Sequence, residues 1–267
     1  MKASRLKTIV IVILLLVNAF LLFLLLSRRA EQVQSYERSV DQLCALYERS
    51  GVSLERALLP KDSGGVHLLS FERDSAREAA FAKALLGGEP SLLDSGGGVS
   101  RYSGESGSCA IRSGGSVEST LSRPVDDPAD FCRELFRSFG YEQISSSLAG
   151  GSGSVTGVRC NDERLIYNAA LSLSFSDGVL TSVSGVFLSE LKESRRADGI
   201  DAVSALVHFL DYCSASGVVC TEVSALESGY LLQSTSTSSL RLAPVWRITT
   251  DVNNYYVNCK TGEITRE

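Results

Sequence analysis

The chain has 267 residues, a formal net charge of −5, 44% apolar residues, seven Cys and two His, a length that accommodates one ordinary domain or two small ones. The charge is unevenly distributed. Residues 1–29 hold five of the 26 basic residues and no acidic one, which leaves 21 bases against 31 acids, a balance of −10, in the remainder. Because binding to phosphate backbones requires clustered Lys and Arg, this acidic body argues against a nucleic-acid partner.

An apolar run occupies residues 9–26 and is interrupted only by Asn18. An 18-residue helix is about 27 Å long, close to the hydrocarbon thickness of a bilayer. The run ends in Ser27-Arg28-Arg29, which offers no small-residue cleavage site, so the sequence predicts a retained transmembrane helix rather than a removed leader. Three bases precede the run and two follow it, which favours a cytoplasmic tail at residues 1–8 and an extracytoplasmic body in the cell membrane.

A juxtamembrane helix is predicted for residues 27–50, because neither Pro nor Gly occurs between residues 30 and 49. Its apolar residues form a heptad stripe of about two repeats, fewer than a persuasive coiled coil needs. The stripe can face a partner helix or its own domain, and the sequence leaves both interpretations open. The stripe consists of Val33, Tyr36, Val40, Leu43 and Tyr47.

Asn18 is the polar group of the predicted span, on a helix face with Leu14 and Leu22. An amide in lipid has few hydrogen-bond partners unless another membrane helix supplies one, and such polar residues usually have a function. We therefore take Asn18, Leu14 and Leu22, together with the five stripe residues, as candidate partner-binding residues.

The remainder alternates between helical and strand patterns, which predicts an α+β fold with a first unit at residues 51–122 and a second region at 123–267. A short turn of helix is predicted at 54–59, and helices are predicted at 74–86, 126–139 and 199–216. Strands are predicted at 65–71, 99–103, 108–113, 116–121, 154–161, 164–175, 179–188, 218–224, 228–234, 241–250 and 254–258. The pattern is a repeated helix followed by an antiparallel meander, with two such rounds in the second region.

Three short motifs are similar to those of penicillin-binding proteins and β-lactamases. They are Ser189-Glu-Leu-Lys192, Ser176-Asp177-Gly178 and Lys260-Thr261-Gly262. Their order along the chain is wrong for that family, and the two motifs that contain Gly fit hairpin turns. A serine hydrolase is therefore the least favoured function, and we expect no catalytic residue.

Other catalytic and ligand-binding patterns are equally weak. His67 lies in a predicted strand and His208 in a predicted helix, and no G-x-S-x-G elbow accompanies either one. The Gly-rich stretch at 150–157 lacks the Lys of a phosphate loop, and the Cys residues have no metal-ligand spacing. We expect no cofactor and no metal. The Cys residues can form disulfides, Cys213 with Cys220 being the closest pair, or act as small buried apolar residues.

Two segments carry a family resemblance: GVSLERALLP at 51–60 and APVWRITTDVNNYYVNCKTGEI at 243–264. With the anchor and its Asn, they resemble the YycI/YycH group of Gram-positive bacterial membrane proteins. The resemblance implies a single anchor helix carrying an extracytoplasmic α+β domain, which modulates a WalK-type sensor histidine kinase of a two-component system in cell-wall homeostasis, together with a YycH-like protein. Residues 246–264 are also similar to the last hairpin of PepSY-type domains.

The leading expectation is thus a non-enzymatic, single-pass membrane regulator that contacts a sensor histidine kinase through its transmembrane and extracytoplasmic parts. The alternative is an extracytoplasmic PepSY-like module that binds or inhibits another protein, such as a protease. The sequence leaves open whether the molecule forms a homodimer.

Overall fold

The computed structural model describes residues 2–60, 66–94, 96–197, 199–234 and 240–267. Side chains at 2–12, 25–26, 29–30, 32, 66–67, 193–197 and 234 lie outside this description. The chain divides into two compact units with bounds that differ from the predicted 51–122 and 123–267, because the chain returns twice to the first unit. Unit 1 comprises Met1–Gly64, Asp201–Leu226 and Thr249–Asn253, and unit 2 comprises Gly65–Ile200, Glu227–Ile248 and Asn254–Glu267.

The described residues form α-helices, one 3-10 helix at Arg56–Leu58 and sixteen strands, which confirms the α+β class. The α-helices are α1 (Lys2–Arg49), α2 (Ser75–Leu86), α3 (Pro128–Phe139) and α4 (Ala202–Ser216). The strands are β1 (Ser53–Leu54), β2 (Val66–Glu72), β3 (Ser91–Asp94), β4 (Val99–Gly104), β5 (Gly107–Arg112), β6 (Ser116–Leu121), β7 (Arg123–Pro124), β8 (Tyr141–Ser146), β9 (Gly153–Asn161), β10 (Arg164–Ser176), β11 (Val179–Val186), β12 (Glu190–Ala197), β13 (Glu222–Ser234), β14 (Leu240–Thr250), β15 (Asn254–Asn258) and β16 (Ile264–Arg266).

Helices α2, α3 and α4 each begin after an Asp and end at a Gly. The Asp carboxylate accepts hydrogen bonds from backbone N–H groups of the first turn, which otherwise lack partners, and the Gly adopts a positive φ that terminates the helix. These residues are Asp74 and Gly87, Asp127 and Gly140, and Asp201 and Gly217. The helices predicted at 74–86, 126–139 and 199–216 are therefore confirmed, each followed along the chain by strands.

Eight strands of unit 2 form an antiparallel sheet in the order β3-β4-β5-β6-β11-β10-β9-β8. Helix α2 contacts β4 and β5, and helix α3 contacts β8 and β9. Both outermost strands contain a β-bulge in which one residue has no partner: Leu93 in β3 and Ile144 in β8. These two side chains are 67% and 55% exposed.

Aromatic side chains fill the core between this sheet and its helices. Phe81 from α2 is fully buried and stacks on Phe187, with ring centroids 4.1 Å apart. Phe139 from α3 contacts both rings edge-on, at centroid distances of 5.2 Å and 5.5 Å. Such pairs contribute about 0.5–1.5 kcal/mol each beyond the area they bury, so this triad ties the two helices to one core.

A second group of strands, which lies in unit 2 except for the start of β13 and the end of β14, runs in the order β12-β2-β14-β13-β10, with β15 pairing with β14 and β16. Strand β13 is parallel to β10 where Ile166 pairs with Tyr230. The predicted strands 218–224 and 228–234 both overlap β13, which begins at Glu222 and runs without a break to Ser234. A Cβ at Gly229 would lie 2.6 Å from the Leu165 carbonyl oxygen, so Gly permits close approach of the two backbones.

In unit 1, the C-terminal part of α1 packs against α4, and β1 lies parallel to the first residues of β13. The short turn of helix predicted at 54–59 is confirmed in part. Arg56–Leu58 form a 3-10 turn, whereas Ser53 and Leu54 pair with Glu222 and Val223. Pairing with a distant strand overrides the local helical pattern here. Gly65, the first residue of the strand predicted at 65–71, lies outside the described residues, and the remainder of that strand is confirmed as β2.

Candidate functional site

The N-terminal part of α1 carries apolar side chains that are exposed on every side of the helix. From Ile13 to Leu24 every residue is exposed, and the large apolar side chains range from 40% at Leu24 to 66% at Phe23. Three of the predicted partner-binding residues, Leu14, Asn18 and Leu22, lie in this exposed segment. Within the part of the chain that the structure describes, no helix combines the length and apolar character needed to span a membrane. The anchor at 9–26 therefore stays a prediction.

The heptad stripe on α1 changes from exposed to buried along its length. Val33 is 56% exposed, and the Tyr36 hydroxyl donates a hydrogen bond to the Pro60 carbonyl oxygen at 2.9 Å. Val40, Leu43 and Tyr47 are buried, with exposed fractions of 4%, 2% and 0%. The last three residues are thus core residues of the fold, as expected of a helix packed on its own domain, and their side chains are not a free surface for a partner.

Tyr47 holds the C-terminal end of α1 against α4. Its hydroxyl donates a hydrogen bond to the Leu206 carbonyl oxygen at 2.8 Å. Burial raises the pKa of this phenol, with smaller contributions from the Cys213 and Cys220 thiols. The hydroxyl is therefore a neutral donor inside the unit. Since α1 runs unbroken from Lys2 to Arg49, one helix connects the exposed apolar segment to this buried contact.

The candidate nucleophile of a hydrolase, Ser189, is held in a structural role. It is 1% exposed; its hydroxyl accepts the Asp74 backbone N–H at 2.9 Å and donates to the Glu72 carbonyl oxygen at 3.2 Å. Lys192, three residues on, forms an ion pair with Glu72 at the surface. In this arrangement Ser189 links the end of β2 to the start of α2 and is inaccessible to a substrate.

The other two motifs of that set form turns. Asp177 and Gly178 adopt positive φ values of 51° and 76° between β10 and β11, which is typical of a two-residue hairpin loop. In the second motif, the Asn258 side chain accepts hydrogen bonds from the backbone N–H groups of Lys260 and Thr261. Both motifs therefore have local structural explanations.

The remaining chemical candidates are placed as follows. His208 is exposed on α4, and the side chain of His67 lies outside the described residues. All seven thiols are free, and five of them are buried: Cys109, Cys132, Cys213, Cys220 and Cys259. Burial raises the pKa of the Cys109 thiol to about 12. No group of His, Cys, Asp and Glu suited to a metal ion occurs among the described residues.

A polar groove of about 550 Å³ in unit 2 was not predicted from the sequence. Its lining includes four carboxylates, from Glu142, Asp162, Glu163 and Glu227. Asp162 and Glu163 form the turn between β9 and β10, with φ values of 46° and 64°. Glu142 and Glu227 lie far from this turn in sequence, so only the folded structure brings all four carboxylates to one groove.

Aromatic and basic groups adjoin this groove. Arg247 forms an ion pair with Glu227 at 2.7 Å and lies 4.8 Å from the centroid of the Tyr167 ring. The Tyr167 ring also contacts Tyr256, with centroids 5.3 Å apart. Burial raises the pKa of Tyr167, although the Arg247 charge opposes the shift. The groove is thus rich in carboxylates, and a cation–π pair adjoins it.

Comparison with known proteins shows distant structural likeness alone. No family model matches the chain, so none supports the YycI/YycH resemblance, and no curated protein is significantly similar. An uncharacterised protein from Eubacterium rectale is 12% identical, with a TM-score of 0.44, over 77% of this chain and 86% of that one. The C-terminal domain of YpeB from Bacillus megaterium is 13% identical, with a TM-score of 0.38, over 74% of this chain and 98% of that domain. Both TM-scores are below 0.5, too low to assign the chain to either protein's fold or function.

Proposed function

We propose that this protein is a membrane-tethered, extracytoplasmic binding module of PepSY-like type that performs no chemistry of its own. The observation that carries the proposal is the exposed apolar segment Ile13–Leu24, which lies on the same helix whose C-terminal end is buried in unit 1. A helix that is apolar on every side belongs in a protein core or in lipid. Apolar surface in water costs about 25 cal/mol per Å², and a bilayer is the cover that fits the apolar run at 9–26.

The basic residues that flank the run orient the chain. Lys2, Arg5 and Lys7 precede it, and Arg28 and Arg29 follow it. Basic residues are retained preferentially on the cytoplasmic side, so both folded units lie outside the membrane in this proposal. The repeated helix and meander, together with the buried hydroxyl of Ser189, support a binding scaffold rather than a hydrolase.

The test is the location of the full-length chain in cells. We expect it in the membrane fraction after carbonate washing, with the folded units digested by protease added to intact protoplasts. Leu16→Arg together with Phe20→Arg should release the chain, because each charge at a helix centre costs about 2.5–3.5 kcal/mol of insertion. The matched control is Leu46→Arg, at an exposed position near the C-terminal end of α1, and this variant should stay in the membrane. Recovery of the unmodified chain in the soluble fraction would refute the tether.

A second candidate function is regulation of a sensor histidine kinase, and one observation supports it. The unbroken helix α1 provides a rigid connection between Asn18 and the folded unit, and a rigid element can transmit a bias between two signalling states. Asn18→Leu should then weaken co-purification with the kinase, whereas Leu16→Ala, on the opposite face of the helix, should not. Unchanged co-purification of Asn18→Leu would contradict this candidate and leave the tethered module standing.

A further inference from the structure

A groove of about 630 Å³ lies in unit 1 between helix α1 and strand β1. One wall is formed by residues 51–54, and the other wall is formed by Asp41, Cys44, Ala45 and Glu48 of α1. Because residues three and four positions apart are neighbours on a helix surface, these four residues share one side of α1. The two in the middle, Cys44 and Ala45, have small side chains. The groove is therefore open along its centre and bounded by a carboxylate at each end.

The strand wall of the groove carries backbone groups without partners. Ser53 and Leu54 pair in parallel with Glu222 and Val223 of β13, and the Ser53 N–H donates a hydrogen bond to the Thr221 carbonyl oxygen at 2.8 Å. Successive residues of a strand direct their N–H and C=O groups to opposite edges, so those of Leu54 point away from β13. Neither group has a hydrogen-bond partner among the described residues. Since Leu54 also lines the groove, a second strand can pair with β1 at this wall.

The two ends of the groove differ in charge. Asp41 forms an ion pair with Arg56, which neutralises that end. Glu48 is exposed in the last turn of α1, and the ion pairs within the described ranges do not include it. Its neighbour Arg49 does not face it, because adjacent residues diverge on a helix. A carboxylate here adds to the negative end of the helix dipole, so this end of the groove favours a cation.

The length of the groove fits an extended chain. Asp41 and Glu48 are seven positions apart, which corresponds to about 10.5 Å along a helix. An extended chain rises about 3.3 Å per residue, so about three residues span this distance. A helical ligand would fit less well, because its backbone N–H groups are already bonded along its length and cannot pair with Leu54.

We propose that this groove binds an extended peptide segment of a partner protein, which pairs with the free edge of β1 and places a Lys or Arg side chain beside Glu48. In this mode of recognition, backbone hydrogen bonds provide affinity and the side-chain contacts provide specificity. The inference deepens the proposed function, because it gives the binding module a class of ligand. The lining of the groove belongs to unit 1, and peptide binding is measured separately from membrane location.

The first test is selection of random seven-residue peptides, displayed on phage, by the full-length chain in detergent micelles. Ala45→Trp should block the groove, whereas Leu46→Trp should not, since Leu46 is a neighbouring exposed residue outside the lining. We expect the unmodified chain and Leu46→Trp to recover the same peptides, enriched in Lys or Arg, and Ala45→Trp to recover none of them. Failure to enrich any peptide, peptides without a basic residue, or equal recovery by Ala45→Trp would overturn the inference.

The second test uses synthetic copies of a recovered peptide and fluorescence anisotropy. Glu48→Gln should weaken binding about two- to fivefold, the effect of losing one exposed ion pair. Glu134→Gln, which changes an exposed acid of α3 in unit 2, is the matched control and should bind like the unmodified chain. An unchanged affinity of Glu48→Gln would contradict the placement of the cation.

Modified peptides test the strand pairing on the unmodified chain, so this result does not depend on the folding of a variant. Two versions of the peptide carry N-methyl groups at alternate residues, one version at the odd positions and the other at the even positions. We expect one version to lose at least tenfold in affinity and the other to bind nearly normally, because only one edge of the peptide pairs with β1. Equal effects of the two versions would refute strand pairing. Absence of peptide binding would leave the membrane tether standing, since cell fractionation tests the tether alone.

Discussion

Replacement of Tyr47 tests whether the C-terminal end of helix α1 is held in unit 1 by its buried ring and hydroxyl, as the structure shows. The ring is fully buried, so Tyr47→Ala should lower the free energy of unfolding of this region by about 3–5 kcal/mol, the range for removal of a buried aromatic ring. Tyr47→Phe keeps the ring and loses only the hydrogen bond to Leu206. Its cost should be about 0.5–1.5 kcal/mol, because the Leu206 carbonyl also lies within the backbone hydrogen-bond pattern of α4.

Hydrogen exchange measured by mass spectrometry on peptides covering residues 36–50 of the full-length chain gives the local free energy of opening. Leu46→Ala is the matched control, since Leu46 is the neighbouring residue on α1, is 41% exposed and should change the opening free energy by less than about 0.5 kcal/mol. A cost below about 1.5 kcal/mol for Tyr47→Ala, or a similar cost for Leu46→Ala, would refute the burial argument.

Three further predictions concern pH, capping and backbone geometry. Because burial raises the pKa of Tyr47, the unfolded chain loses this proton above about pH 10 while the folded chain retains it. The stability present below about pH 10 should then fall by up to about 1.4 kcal/mol per pH unit, and urea unfolding at pH 8 and pH 10.5 should show a smaller decrease for Tyr47→Phe. Asp127→Ala should cost about 1 kcal/mol in urea unfolding by loss of the α3 cap, whereas Asp127→Asn should cost little, since Asn also caps. Gly140→Ala should lower the thermal midpoint far more than Gly51→Ala; both residues have a φ of 73°, but only at Gly140 would the new Cβ collide with Arg159. Equal shifts would show that backbone strain, not this collision, sets the cost.

Local signals predicted much of the secondary structure. An Asp before an apolar period and a Gly after it located α2 and α3 within a few residues, because both ends of these helices are determined by nearby hydrogen bonds, and an apolar stripe located α4. Asp177-Gly178 likewise predicted its hairpin. These features depend on residues that are close in sequence, which is why one sequence sufficed to find them.

Features that depend on distant pairing were missed. The outer strands β3 and β8 are almost wholly exposed, so their sequences lack the alternation that reveals a half-buried strand. The heptad stripe predicted an apolar face correctly, but only the packing of α4 shows that Val40 and Leu43 are buried. The carboxylates of the groove in unit 2 gave no common sequence signal, since Glu142 and Glu227 lie near Asp162 and Glu163 only after the strands have paired.

The bulges at Leu93 and Ile144 bear on how copies of the chain behave when they meet at high concentration. An open edge of a sheet exposes unpaired backbone groups, to which a strand of a second copy can bind. A bulge interrupts the regular row of backbone groups that such joining requires, and here each end of the eight-stranded sheet has one. The two bulges therefore disfavour the joining of copies edge to edge through this sheet, so that each sheet remains separate even when the protein is concentrated.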